Sequence, residues 1–250
     1  MKLLNTLLVL IAMIFMSLNV KAVEPDWSNY EKLLNQNVHP GFQDGIKLME
    51  VDYVGIKSSP LYSKAVFQIE TFNTRQLQSK TEKLAFYINA YNLYAIKMVI
   101  DHWPVKGIKD IGNFFSPVWD KDVGFIDKKP VTLNEIEHEI LRKMDEPRIH
   151  MAIVCASISC PDLRNEAYTS EKLDAQLNDQ TILFLNNNGK GLKVYRQTAV
   201  VSKIYYWFEE DFDAQGGVTA FIKQYRKDLA KEITIDADLP YNWKLNKISQ

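Results

Sequence analysis

Residues 81–101 read Thr-Glu-Lys-Leu-Ala-Phe-Tyr-Ile-Asn-Ala-Tyr-Asn-Leu-Tyr-Ala-Ile-Lys-Met-Val-Ile-Asp, and His102-Trp103-Pro104 follows. The run is long enough for about six helical turns, and the proline stops it. On a helical wheel Asn89 and Asn92 share one side with Ala85, Leu93, Ile96 and Ile100. Tyr87, Tyr91, Tyr94 and Met98 form a separate stripe. A helix apolar nearly all round is buried, so this one takes two amides into the interior, where each needs hydrogen-bond partners.

Working outward, Trp27–Leu34 and Ser59–Thr71 are predicted helices, the second with Pro60 in its first turn. Residues 123–127 and 130–133 are predicted as two short strands about a turn. Thr132 and Glu135 then have the form of a capping box for a helix running to about Met144. Its apolar stripe is Leu133, Ile136, Ile140, Leu141 and Met144, with Glu137 inside it; Glu135, His138 and Arg142 share the other side. A carboxylate on a core face is costly unless paired. Residues 149–155 read as a buried strand, leading into a tight loop, 156–162. A helix over Ser170–Asn187, a hairpin over 192–195 and 199–201, helices over Tyr205–Phe212 and Val218–Leu229, and a strand at 233–235 complete the reading. Helices and hairpins in blocks, without sustained alternation, predict an α+β fold: helices packed on a small, mainly antiparallel sheet.

The N-terminus has Lys2, an apolar run over residues 3–18, and small residues at Val20 and Ala22. These are the parts of a secretory signal, so residues 1–22 are expected to be removed after Ala22; a retained membrane anchor is the alternative, the apolar run being just short of the roughly 20 residues that span a bilayer. Residues 23–250 are then expected to form one globular domain in the periplasm or outside the cell, with no membrane span after cleavage. Thirty Lys and Arg balance 31 Asp and Glu without a basic block, which argues against nucleic acid as a partner. Phosphate-loop, dinucleotide, serine-hydrolase and zincin fingerprints are absent. No cofactor is indicated, and the Cys and His spacings match no zinc pattern.

Chemistry concentrates at Cys155, a thiol at the end of the expected strand. Such a thiol needs a base or a positive field to become thiolate. His150 would point to the opposite strand face from Cys155, because their separation is odd. His138 has no such conflict, although an ordinary exposed histidine beside Glu135 and Arg142 is the plainer alternative. Cys160 offers another account of Cys155: an exported chain meets oxidising conditions, in which the two could form a disulfide.

Phe86-Tyr-Ile-Asn-Ala-Tyr-Asn, Leu133-Asn-Glu-Ile-Glu-His-Glu-Ile-Leu-Arg, Pro147-Arg-Ile-His and Cys155-Ala-Ser-Ile-Ser-Cys-Pro-Asp-Leu-Arg occur in that order. With Ser202-Lys-Ile-Tyr-Tyr-Trp-Phe and Leu239-Pro-Tyr-Asn-Trp, they resemble the family known as domain of unknown function 547, over about residues 51–243. The resemblance directs attention to Asn89, Asn92, Glu137, His138 and Cys155. Plant members of the family keep the first Cys and carry Ser at the second, which favours a reactive thiol over an obligatory disulfide. A Cys/His/Asn set also suggests a distant likeness to papain-like and transglutaminase-like enzymes, with chain order reversed; order is no bar, since such sites are defined by geometry. The expectation is therefore a thiol hydrolase or acyltransferase acting on a small-molecule or peptide amide. Cys155 would attack, His138 would be the base, and Asn89, Asn92 or Glu137 would orient the imidazole or bind the oxyanion. The rivals are a non-enzymatic binding or scaffold protein with a Cys155–Cys160 disulfide, and a thiol redox protein.

Overall fold

The computed structural model describes residues 23–248; the signal segment read over 1–22 lies outside them. Helix α1 (Ser28–Asn37) leads directly into strands β1 (Val38–Gln43) and β2 (Ile46–Val51), an antiparallel hairpin. Its turn is Asp44-Gly45, both at positive φ (48° and 82°), the backbone a two-residue hairpin requires. Helices α2 (Tyr53–Ser58) and α3 (Pro60–Thr71) follow, each capped by the side chain before it, Asp52 and Ser59.

Helix α4 (Lys80–Asp101) is the central element. Ser79 and Glu82 close a capping box at its start, and its buried positions run round the whole circumference from Leu84 to Ile100. Strands β3 (Asp122–Ile126) and β4 (Lys129–Thr132) form a second hairpin. Thr132 and Glu135 make the expected reciprocal cap: the Glu135 amide donates to the Thr132 hydroxyl and the Thr132 amide to the Glu135 carboxylate. The helix they open is a π-helix over Glu135–Leu141, closed by the Arg142 amide donating to the Glu137 carbonyl five residues back. The wider turn places Glu137 and His138 together at its edge, a geometry common at functional sites.

The strand expected over residues 149–155 is not formed. Ile149–Ala152 is one helical turn, α5, and the chain becomes extended only from Ile153. A short apolar run does not distinguish strand from helix, and among the described residues no strand pairs with it. Its first residues are bonded within the helical turn, with the Ile153 amide donating to the Ile149 carbonyl, and Asn92 holds the exit, donating to the Ala152 carbonyl (3.0 Å) and accepting from the Val154 amide (2.8 Å).

Helix α6 (Leu173–Leu185), strands β5 (Leu192–Tyr195) and β6 (Thr198–Ser202), short helix α7 (Ile204–Trp207), a 3-10 segment (Glu209–Gln215), helix α8 (Gly217–Tyr225) and strand β7 (Thr234–Leu239) complete the chain. The single helix expected over 205–212 is thus split at Phe208. Strands β5 and β6 pair antiparallel, and β7 returns to pair with β6 in parallel. The fold is α+β, with two hairpins and one mixed three-stranded sheet in place of one common sheet.

Among the described residues a small apolar cluster joins Ile46, Leu48 and Ile158, and two large ones form the core. One surrounds α4; the other joins Met151, Phe184, Tyr205, Phe212, Phe221 and Ile222. Among the described residues no helix is long and apolar enough to cross a membrane.

Candidate functional site

A cleft of about 200 Å³ opens where residues of the two clusters meet. Tyr91 from α4, Glu137 and His138 from the π-helix, and Cys155 and Cys160 from the following loop line it. Trp119, Trp207, Phe208, Tyr241 and Trp243 add aromatic rings to its wall.

The loop returns on itself because Ala156 adopts positive φ (58°), a left-handed conformation that costs a non-glycine residue about 1 kcal/mol or more. Cys155 and Cys160 are joined as a disulfide, their Cα atoms 6.1 Å apart. The two sulfurs differ in access: Cys155 is half-buried, whereas Cys160 is buried. The Cys155 amide donates to the Cys160 sulfur (2.9 Å), the Ser157 hydroxyl lies 3.1 Å from the Cys155 sulfur, and the Tyr241 hydroxyl reaches both sulfurs.

Tyr241 arrives on a tail that runs along this loop. Ile158 N–H donates to the Lys244 carbonyl, Asn246 N–H to the Ala156 carbonyl, and Leu245 N–H to the Lys106 carbonyl. Gly107 permits the approach: a Cβ there would stand 2.6 Å from the Trp243 carbonyl oxygen. The tail's aromatics then close a cluster, with Trp207 and Trp243 stacked at 5.6 Å between centroids and Tyr241 4.5 Å from Trp243. The Lys109 ammonium lies 3.6 Å above the Trp243 ring, a cation–π contact.

Glu137 accepts a hydrogen bond from the Tyr91 hydroxyl (3.0 Å). Burial pushes its carboxyl up to about 7, against the opposing pull of Tyr91 and Arg142. His138 Nδ1 lies 2.8 Å from the Arg142 guanidinium. Burial, and then that cation, hold the imidazole below its ordinary value. Arg142 in turn grips Asp211 through two bonds of 2.7 and 2.8 Å, and the same carboxylate meets His150 Nε2 at 2.6 Å. Phe208 stacks on His150 at 4.1 Å. Burial favours protonation of Asp211, but hydrogen bonds from His150 and Arg142 outweigh it and hold the acid well below the usual carboxylate range.

The family model described as protein of unknown function, DUF547, matches residues 74–185. That region is a DUF547 module. No curated protein and no solved structure matches the chain. The DUF547 module contains α4, Glu137, His138 and both cysteines, while Trp207, Asp211, Tyr241 and Trp243 come from beyond it.

Of the residues the sequence singled out, Glu137, His138 and Cys155, all within the DUF547 module, share the cleft. Asn89 and Asn92 do not line it. Asn89 donates to the Tyr168 carbonyl (2.8 Å) and accepts from the Tyr168 amide (2.9 Å), so both asparagines act as buried clamps on backbone. His150, set aside on strand parity, lines the cleft, because the parity argument needs a strand and the chain there is helical. Arg142 was read only as a helix neighbour of His138. The sequence gives Asp211, Ser157 and Tyr241 no role; Ser157 is marked only by its place in the Cys155 motif and Tyr241 by its place in the closing motif that begins at Leu239.

Proposed function

We propose that the cleft is the active site of an exported thiol enzyme that transfers or hydrolyses an acyl group, with Cys155 as nucleophile. The observation that carries this reading is the meeting of Cys155, Glu137 and His138 in one aromatic-walled cleft, a set of groups suited to covalent acyl chemistry. The bonded Cys155–Cys160 pair is the resting form. An external dithiol reduces it by two electrons, leaving two protein thiols and the oxidised donor. Export rests on the N-terminal segment of residues 1–22, and is checked by sequencing the N-terminus of protein recovered from outside the cytoplasm.

The test of the chemistry is intact-mass analysis of the reduced full chain treated with p-nitrophenyl acetate. An acetyl adduct that forms on wild type and is lost in Cys155→Ala supports the reading; reactivity no greater than that of a free thiol peptide sinks it.

Thiol–disulfide exchange is a second reading, favoured by the lining of the cleft by both bonded cysteines. It requires the bridge to exchange electrons with added dithiol and disulfide pairs reversibly, and Cys160→Ser to abolish that exchange while sparing acylation.

A further inference from the structure

Arginine has no lone pair to offer and is always protonated. The nitrogen of His138 that faces Arg142 must therefore be the acceptor. In the neutral ring the proton then sits on Nε2, which has no hydrogen-bond partner among the described residues. This is opposite to what a base for Cys155 needs, since the lone pair is already engaged.

The arrangement is held from behind. Asp211 receives the other side of the Arg142 fork, His150 donates to Asp211, and Phe208 lies against His150 and within 6.1 Å of His138. A planar guanidinium gripped through two bonds has little freedom to turn, so His138 is presented in one orientation and one tautomer.

Resting on the acyl-transfer reading above, we infer that Arg142, clamped by Asp211 and His150, fixes His138 as the Nε2–H tautomer, so that the imidazole donates to the oxygen of the attacked carbonyl and is not the base for Cys155. Glu137 is the proton acceptor in the same lining. During attack on an amide, the thiol proton passes to the Glu137 carboxylate and the sulfur–carbon bond forms. The carbonyl π pair moves onto oxygen, which accepts a hydrogen bond from Nε2–H. Collapse restores the carbonyl, breaks the carbon–nitrogen bond, and the departing amine takes the proton from Glu137. Arg142, Asp211 and His150 are positioning residues. The charged and titratable groups facing His138 are Arg142, Asp211, His150, Glu139 and Asp120; those facing Glu137 are Tyr91, Tyr241, Arg142 and Asp211.

The deciding measurement is long-range proton–nitrogen NMR of the reduced, histidine-labelled full chain at neutral pH, with the His138 signals assigned by their loss in His138→Gln. A protonated Nε2 and bare Nδ1 are expected in wild type, and a mixture of tautomers in Arg142→Gln. Acetylation by p-nitrophenyl acetate gives the functional arm. A glutamine amide can replace an N–H donor but not a base, so His138→Gln should keep the rate within about fivefold while His138→Ala loses about a hundredfold, as for loss of one oxyanion donor. Equal, near-complete loss in both variants, or an Nδ1–H or imidazolium signal in acylating wild type, would overturn the inference and leave Cys155 chemistry standing. A normal Nε2–H signal in a protein inert to the ester would instead overturn acyl transfer, and the donor role with it.

Discussion

The Tyr241 hydroxyl lies 3.3 Å from the Cys155 sulfur and 3.4 Å from the Cys160 sulfur, so one phenol touches both halves of the bridge. In the reduced protein it is placed to donate to a Cys155 thiolate. Tyr241→Phe keeps the ring and removes the donor. A hydrogen bond to a charged group contributes about 1.5–3 kcal/mol, so alkylation of reduced Cys155 by iodoacetamide near neutral pH should slow by about tenfold or more. An unchanged rate across the pH range would show that the phenol has no part in thiolate stabilisation.

Access separates the two cysteines. Wild-type protein should resist alkylation until a dithiol is added, and Cys155 should then react before buried Cys160. Cys160→Ser should label at Cys155 without reductant. Closing a loop this short constrains the unfolded chain by about 2 kcal/mol in the chain-entropy account, so Cys160→Ser should also lower the free energy of unfolding by that order in urea titrations.

Asn92 and Asn89 each join two backbone groups across long sequence distances. Replacing either with Ala leaves a buried amide and carbonyl unpaired, at roughly 1–3 kcal/mol for each orphaned group. Both variants should be strongly destabilised. In the fraction that folds, Asn89→Ala should leave Cys155 reactivity unchanged, because Asn89 holds the chain at Tyr168. A selective loss of thiol reactivity with full stability would contradict the clamp assignment.

The dependence of stability on pH should have opposing contributions. Burial keeps His150 below its ordinary value, and Asp211 is also depressed; the stability each contributes is present above its unfolded pKa and declines as pH falls. Glu137 has the reverse sign. With its folded value raised to about 7, the native state binds the extra proton between the ordinary value of 4.5 and about 7, so its contribution is lost as pH rises through that window. Relative to wild type, Glu137→Gln should therefore be more stable at about pH 8 than at about pH 5. Parallel stability curves for the two proteins would remove the assigned shift.

Periodicity sufficed for elements whose partners are nearby in sequence. The apolar circumference of α4, the Thr132–Glu135 cap and the β5–β6 hairpin were legible because each depends on residues within a few turns of one another. The hairpin of β1 and β2 was overlooked although Asp44-Gly45 marks its turn. Residues 149–155 misled because a short apolar run fits a helical turn as well as a strand, and the two backbone groups that follow the turn are held by Asn92, about 60 residues earlier in the chain. The same limit applies to the site. Glu137 stood out as a carboxylate on an apolar stripe, and Cys155 as a thiol leading a small-residue loop. The grip of Asp211 on Arg142 and the reach of Tyr241 to the sulfurs are made only through space, across 69 and 86 positions.

The tail that follows β7 has an effect on timing. During synthesis, Cys155, Cys160, Glu137 and His138 are all present before Tyr241 and Trp243 emerge, and the tail then docks on Lys106, Ala156 and Val51. The residues that carry the chemistry are thus synthesised first, and Tyr241 and Trp243 last. A chain stopped short of residue 240 would carry Cys155, Cys160, Glu137 and His138 without the Tyr241 hydroxyl that touches both sulfurs, so the nine described residues after β7 complete the wall of the cleft.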